Sequence, residues 1–115
     1  MIRKRNGNVM EISLEDIITE LVVNGGSAKS KAMQAMKAAR LGDFELAEQR
    51  IKEANDFLHK AHHFQTEMIQ AEAREENPCA VSLIMVHGQD HLMSAMTTRD
   101  IAVEMIEMYK LIKNK

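Results

Sequence analysis

The amino-acid sequence predicts an all-α protein, built as a bundle of three long antiparallel helices. Only one proline and five glycines interrupt its 115 residues. Alanine, methionine, leucine, glutamate, lysine and glutamine, which all favour helices, are abundant. Aromatic residues make up 3% of the chain, fewer than a β-sandwich normally uses. Apolar residues also recur at helical spacing along three long segments.

Composition and charge exclude several functional classes. The net charge of −2 comes from acidic and basic residues mixed along the chain, so no basic surface for nucleic acid is expected. No apolar run approaches the ~18 residues of a membrane span, and the basic N-terminus lacks the apolar stretch of a signal peptide. Cys79 is the only cysteine, which fits a cytoplasmic protein without a disulfide. We expect a flexible tail over residues 1–12 and a single three-helix domain over residues 13–115.

The first helix is predicted to run from near Ser13, with Asp16 three residues later as a weak capping arrangement, to about Leu41. Gly25 and Gly26 could break it, but the apolar stripe continues through them and favours one long helix, bent locally at most. The second half of the stripe is nearly all alanine, which lets another helix approach closely. Its members are Leu14, Ile18, Leu21, Gly25, Ala28, Ala32, Ala35 and Ala39.

The second helix is predicted to begin after a turn at Gly42 and Asp43. Glycine suits the residue after a helix end, and aspartate suits the N-cap of the next helix. The helix fades near Arg74, and a second turn is predicted over residues 75–78. Its inward stripe is Phe44, Ala47, Ile51, Ala54, Leu58, Ala61, Gln65 and Met68.

The third helix is predicted to run from about Cys79 or Ala80 to Ile112. Its apolar positions lie on nearly every side. A helix of that kind is buried from more than one direction. Because one buried face would be enough within a three-helix chain, we expect part of this helix to pack against another copy of the protein.

One face of the third helix is apolar at both ends and polar in the middle. His87 and Asp90 are three residues apart and His87 and His91 four, so all three share that face. In an antiparallel hairpin of the second and third helices, Gln65 lies at the height of His87, and His62 at the height of Asp90. Buried charged groups need partners, and both helices carry polar residues at the same height within otherwise apolar stripes. This coincidence indicates a site. The face comprises Leu83, His87, Asp90, His91, Ser94, Thr98, Ile101, Met105, Met108 and Ile112.

The same residues also have structural interpretations. His87 could be an ordinary core histidine, and Asp90 a buried polar residue that fixes the helix register. His91 could hold Asp90 or orient His87. His59 and His63 are four residues apart and could bind a metal, although the pattern favours a solvated pair.

The polar face carries a recognisable motif. The run Val86-His87-Gly88-Gln89-Asp90-His91-Leu92-Met93 resembles the signature of the lactose/cellobiose (and chitobiose) enzyme IIA family of the bacterial sugar phosphotransferase system. Three other segments resemble family patterns in the same order, with Lys29 standing where the family usually has arginine. They are Gly26-Ser27-Ala28-Lys29-Ser30, Gly42-Asp43-Phe44 and Ala61-His62-x-x-Gln65-Thr66.

The resemblance implies an architecture and a chemistry. Three-helix chains of this family assemble as trimers into a nine-helix bundle. His87 aligns with the phosphorylated histidine and Asp90 with an aspartate that meets its two copies near the trimer axis, where one divalent cation such as Mg²⁺ can bind. The histidine-containing phosphocarrier protein is the implied donor, and the cysteine of enzyme IIB the implied acceptor. The chain would thus be a phosphotransferase component. From their positions on the helices rather than from the resemblance, we expect Gln65, Gln89, His91 and His62 to be supporting residues.

Other functions stay open on the residues alone. A histidine phosphotransfer domain also presents a histidine on a helical bundle, but it normally has four helices. A helical metal-binding protein could use His87, Asp90, His91 and His62. A non-catalytic oligomeric adaptor with a polar core layer would not be phosphorylated. The sequence does not indicate which sugar is transported.

Overall fold

Three long helices make up most of the computed structural model, which describes residues 2–5, 8–11, 13–73 and 83–114. Helix α1 spans Leu14–Arg40, α2 spans Phe44–Ala73 and α3 spans Leu83–Lys113. The all-α fold class is confirmed. The predicted turn over residues 75–78, the predicted start of α3 and Cys79 lie outside the described residues. Along the described part of the chain, no helix is long and apolar enough to cross a membrane.

Helix α1 begins where the capping pattern predicts. The hydroxyl oxygen of Ser13 accepts a hydrogen bond from the backbone N–H of Asp16 at 3.1 Å, which satisfies one of the free N–H groups at the helix start. The helix then continues without a break through Gly25 and Gly26. The prediction of one long first helix is therefore confirmed.

The turn between α1 and α2 is also the one predicted. Gly42 has a φ of +87°, a left-handed conformation that costs glycine nothing. The N–H of Gly42 donates to the carbonyl of Ala39, and the N–H of Asp43 to that of Ala38, in a Schellman arrangement. The Asp43 carboxylate accepts from the N–H of Leu46 at 3.1 Å and caps α2.

The core lies along the predicted stripes of α1 and α2 and is divided into three layers. Large residues of the first layer, including Leu21, Leu58 and Leu92, lie at the end of the bundle that carries the polar face of α3. A thin middle layer is formed by Ala32, Ala54 and Ala102, all fully buried. The third layer packs around Ala47 and Ile106 near the α1–α2 turn. The side chain of Leu14, predicted in the stripe, lies outside the described residues.

Helix α1 packs extensively against both other helices, whereas α2 and α3 touch sparsely. Leu21 approaches Gly88 and Gly25 approaches His91, so α1 and α3 run parallel. Polar side-chain pairs also join the antiparallel helices α2 and α3. They include Gln65 with Gln89, Asn55 with Arg99 and Glu48 with Lys110.

Helix α3 buries a different face from the polar one. Its buried residues are Met85, Gly88, Leu92, Ala95, Ala102 and Ile106. The face that carries His87 and Asp90 points away from the chain's own core, and four of its apolar residues are exposed. Their exposed fractions are 86% for Leu83, 52% for Ile101, 56% for Met108 and 63% for Ile112. As predicted, α3 has more apolar surface than a single chain buries, since these four apolar residues remain exposed.

The segment predicted as a flexible tail contains regular structure. Strand β1 (Ile2–Arg5) pairs with β2 (Asn8–Glu11) in antiparallel register, with Ile2 opposite Glu11 and Arg5 opposite Asn8. The sequence analysis did not foresee these two strands. The signal was the dipeptide Asn6-Gly7 between two short runs, which is typical of two-residue hairpin loops.

Candidate functional site

The candidate site begins with His87, which lies in the second turn of α3 with its side chain exposed. The next residue, Gly88, is buried against α1, and a methyl group on its Cα would lie 3.4 Å from the Cγ2 of Ile18. Successive helix residues point about 100° apart, so burying Gly88 directs His87 toward the edge of the α1–α3 contact. Packing against α1 therefore sets the direction in which the imidazole of His87 points.

A second imidazole supports the first. The ring of His91 lies edge-on to that of His87, with 4.5 Å between the ring centroids and 75° between the ring planes. His91 is half-buried, and its backbone lies against Gly25 of α1. Because His91 is anchored and His87 is not, the contact limits the orientations open to the exposed ring.

A hydrogen bond between glutamines joins α2 and α3 at the height of the two histidines. Nε2 of Gln65 donates to Oε1 of Gln89 at 2.9 Å, and both side chains are half-buried. Gln65 was predicted at the height of His87, and its partner is two residues further along α3. The structure thus brings two of the predicted supporting residues together.

Asp90 is exposed on the same face as His87. A shallow pocket of about 460 Å³ lies between them, lined by Leu83, Ile84, Val86, His87 and Asp90. The carboxylate and the imidazole therefore border an apolar depression on the outside of the chain. Within the described residues, no three histidine, cysteine, aspartate or glutamate side chains cluster closely enough to hold a metal ion.

The histidines of α2 do not join this group. His62 is exposed and makes no hydrogen bond or ion pair with the site residues in the described part of the chain. His59 and His63 are exposed as well, and Nε2 of His63 lies 3.9 Å from Oε1 of Glu67. The structure therefore brings together His87 and His91, and separately Gln65 and Gln89, but leaves His62 apart.

Two features of this region escaped the sequence analysis. Gly25 was assigned to the stripe of α1, but its close contact with His91 was not foreseen. Asn24 is buried, and its Nδ2 donates to the backbone carbonyl of Glu20 at 2.8 Å and to its carboxylate at 3.0 Å. The available signal for both features was a polar residue directly before two glycines in an alanine-rich helix.

Comparison with known proteins identifies the family. The family model described as the lactose/cellobiose-specific IIA subunit of the phosphotransferase system matches residues 16–110, which include all of α2, most of α1 and α3, and the candidate site. This chain belongs to that family.

Individual members are similar over nearly their full length. The lichenan-specific phosphotransferase enzyme IIA component of Bacillus subtilis is 48% identical over 103 residues, which cover 90% of this chain and 93% of the relative. The N,N'-diacetylchitobiose-specific component of Escherichia coli is 39% identical over 100 residues, which cover 87% of this chain and 85% of the relative.

Solved structures of family members have the same fold. The cellobiose-specific enzyme IIA of Bacillus anthracis superimposes with a TM-score of 0.85 at 40% identity, covering 92% of this chain and 96% of the other. The IIA component for chitobiose of Escherichia coli, solved in solution as a complex with HPr, gives a TM-score of 0.77 at 37% identity. That match covers 90% of this chain and 99% of the other.

Proposed function

We propose that this IIA component carries a phosphoryl group on His87, accepting it from the histidine-containing phosphocarrier protein HPr and passing it to a cysteine of enzyme IIB. One observation carries the proposal. His87 is an exposed imidazole that is steadied by the ring of a second, anchored histidine. Exposure allows a partner's reactive atom to reach the ring, and the contact with His91 favours one orientation of attack.

The chemistry requires a neutral imidazole at His87. One ring nitrogen of His87 supplies its lone pair to form a bond to phosphorus, while the bond between phosphorus and the donor nitrogen breaks and the donor ring keeps the electron pair of that broken bond. In the second transfer a cysteine thiolate attacks the same phosphorus, and the bond to His87 breaks. Phosphoryl transfer of this kind depends on in-line positioning and charge stabilisation more than on proton transfer.

The supporting residues act through position and hydrogen bonding. His91 holds the His87 ring from the side that faces α1. Gln65 and Gln89 tie α2 to α3 at the height of the site, and each amide group carries two N–H donors, of which Gln65 uses one toward Gln89. We propose that the remaining donors are available to phosphoryl oxygens. His62 belongs to this set only if a partner or a second copy brings another surface to it.

A trimer accounts for the face of α3 that the single chain leaves open. Leu83, Ile101, Met108 and Ile112 form an exposed apolar row along that face, and burying such a row contributes roughly 25 cal/mol per Å² of apolar surface. Three copies that meet along α3 would give nine helices around one axis. The proposal rests on this exposed row and on the family's architecture.

Asp90 lies on the same open face, so three copies would bring three carboxylates together. Carboxylate oxygens suit a hard divalent cation such as Mg²⁺. One chain offers a single carboxylate here and no cluster of three metal-binding side chains among its described residues, so only an assembly could hold the ion. When bound, the cation would neutralise charge that would otherwise oppose assembly.

The partners and the sugar class are proposed from relatives. The chitobiose component of Escherichia coli was solved in complex with HPr, which supports the same donor here. Leu83, Val86 and Met93 are exposed near His87 and would contact a docking protein wherever the trimer leaves them open. Relatives are named for lichenan, chitobiose and lactose, so a sugar of the lactose/cellobiose class is proposed.

Intact mass spectrometry after incubation with phosphoenolpyruvate, enzyme I and HPr tests the proposal. Wild type should gain one acid-labile phosphoryl group, and His87→Ala should gain none. His91→Ala serves as the matched control, because it removes the neighbouring imidazole and leaves the proposed nucleophile in place. Unmodified wild type with a competent donor would refute the carrier role, and modification of His87→Ala would move it to another histidine.

A further inference from the structure

Helices α1 and α3 come into backbone contact at one point beside the proposed nucleophile. A methyl group on the Cα of Gly25 would lie 3.1 Å from the carbonyl carbon of His91, 3.2 Å from its carbonyl oxygen and 3.3 Å from its Cβ. Carbon atoms in contact normally lie 3.5–4.0 Å apart. Two of the three contacts are to backbone atoms, which cannot rotate away as a side chain can.

The contact is transmitted to His87 in two steps. His91 is fixed at this height because its backbone lies directly against Gly25. Its ring then packs edge-on against the ring of His87 at 4.5 Å between centroids. A side chain at position 25 that pushed α3 away from α1 by a few tenths of an ångström would therefore shift both imidazoles relative to α1.

We propose that Gly25 is a positioning residue for phosphoryl transfer, setting the separation of α1 and α3 that orients His87 through His91. The inference rests on the proposed function of His87. Gly25 touches neither the phosphoryl group nor a partner protein. It acts by having no side chain, so that α3 can approach α1 closely at this height.

The neighbouring glycine provides a matched control. Among the described residues, and apart from the backbone of α1 itself, a methyl group on Gly26 would come within 4 Å only of Nδ1 of His91, at 4.0 Å, which is an ordinary contact. Both glycines lie inside α1, so replacing either by alanine raises helix propensity equally. The two variants therefore change the helix propensity of α1 alike, but only Gly25→Ala brings a methyl group into close contact with the backbone of α3.

The test measures single-turnover transfer from phosphorylated HPr to wild type, Gly25→Ala and Gly26→Ala over a range of donor concentrations. We expect Gly25→Ala to lower the saturating rate constant by roughly 3- to 10-fold with the half-saturating donor concentration unchanged, because misplacement by less than 1 Å affects in-line geometry but not docking. Gly26→Ala should stay within about twofold of wild type. The imidazole NMR signals of His87, which a methyl group on Gly26 would not touch, should shift in Gly25→Ala and not in Gly26→Ala.

Two results would overturn the inference: equal saturating rates for the two alanine variants, or a loss confined to the half-saturating concentration. If Gly25→Ala does not fold, His91→Ala replaces it, because it removes the ring through which the separation of α1 and α3 is proposed to reach His87. Its saturating rate should fall below that of Gly26→Ala, and equality would again overturn the inference. Wild type that accepts no phosphoryl group would instead refute the proposed function.

Discussion

The carboxamide nitrogen of Gln65 lies 2.9 Å from the carboxamide oxygen of Gln89 and donates a hydrogen bond across the otherwise sparse boundary between α2 and α3. A double-mutant cycle with Gln65→Leu, Gln89→Leu and the double variant should give a coupling energy of about 0.5–1 kcal/mol, as expected for a half-buried neutral pair. Urea unfolding measures it. A coupling energy of zero would show that the bond does not contribute to stability.

The alanine layer should not tolerate larger side chains. Ala32→Leu adds three carbons to a layer in which the other two members, Ala54 and Ala102, are fully buried, and it should lower the free energy of unfolding by about 1–3 kcal/mol through overpacking. Met33→Leu, at an exposed neighbouring position on α1, is the control and should stay within about 0.5 kcal/mol of wild type. Equal stability of the two variants would mean that the layer has spare volume.

The left-handed turn depends on Gly42. Gly42→Ala should cost about 1–2 kcal/mol, because a Cβ atom disfavours a φ of +87°. Gly42→Asn should lose less, since asparagine tolerates this region better than alanine. Thermal unfolding of both variants tests the assignment, and a stable Gly42→Ala protein would contradict it.

Acid should weaken the ion pair between Glu48, near the start of α2, and Lys110, near the end of α3. Lys110 donates a hydrogen bond to Glu48 at 2.8 Å and lowers the pKa of that carboxyl below 4.5. A lowered folded-state pKa means that the contribution to stability is present above the unfolded pKa and is lost as the pH falls through the folded one. Glu48→Gln should therefore flatten the fall in stability below about pH 4.5. In a Lys110→Gln background the same substitution should change the slope little.

Asp90 should act on assembly more than on transfer. Three carboxylates that meet on an axis repel each other unless a cation or protons neutralise them. In EDTA, which removes divalent cations, sedimentation should therefore show more trimer for Asp90→Leu than for wild type. Both proteins should still accept a phosphoryl group from HPr. A well-folded Asp90→Leu trimer that is fully inactive would contradict this assignment.

The helices, the capping by Ser13 and the turn at Gly42 could be predicted because each depends on local residue types and on a 3.6-residue period. The sequence did not show which helices pack most closely, because a period identifies a buried face but not its partner. For the site, the nearness of His87 and His91 follows from their four-residue spacing, whereas the contact of His91 with Gly25 depends on tertiary packing. The family motif, and not the periodicity, indicated the function.

Because α1 packs against both other helices, its position has a consequence for the order in which the chain folds. The turn of residues 41–43 joins α1 to α2, so their contacts close a short loop at a small cost in chain entropy. Contacts of α3 with α1, such as that of His91 with Gly25, join residues far apart in sequence and should form later. His87 thus lies on the helix that is expected to dock last, and a chain caught midway through folding would have most of its helix but not the packing against α1 that surrounds the proposed site.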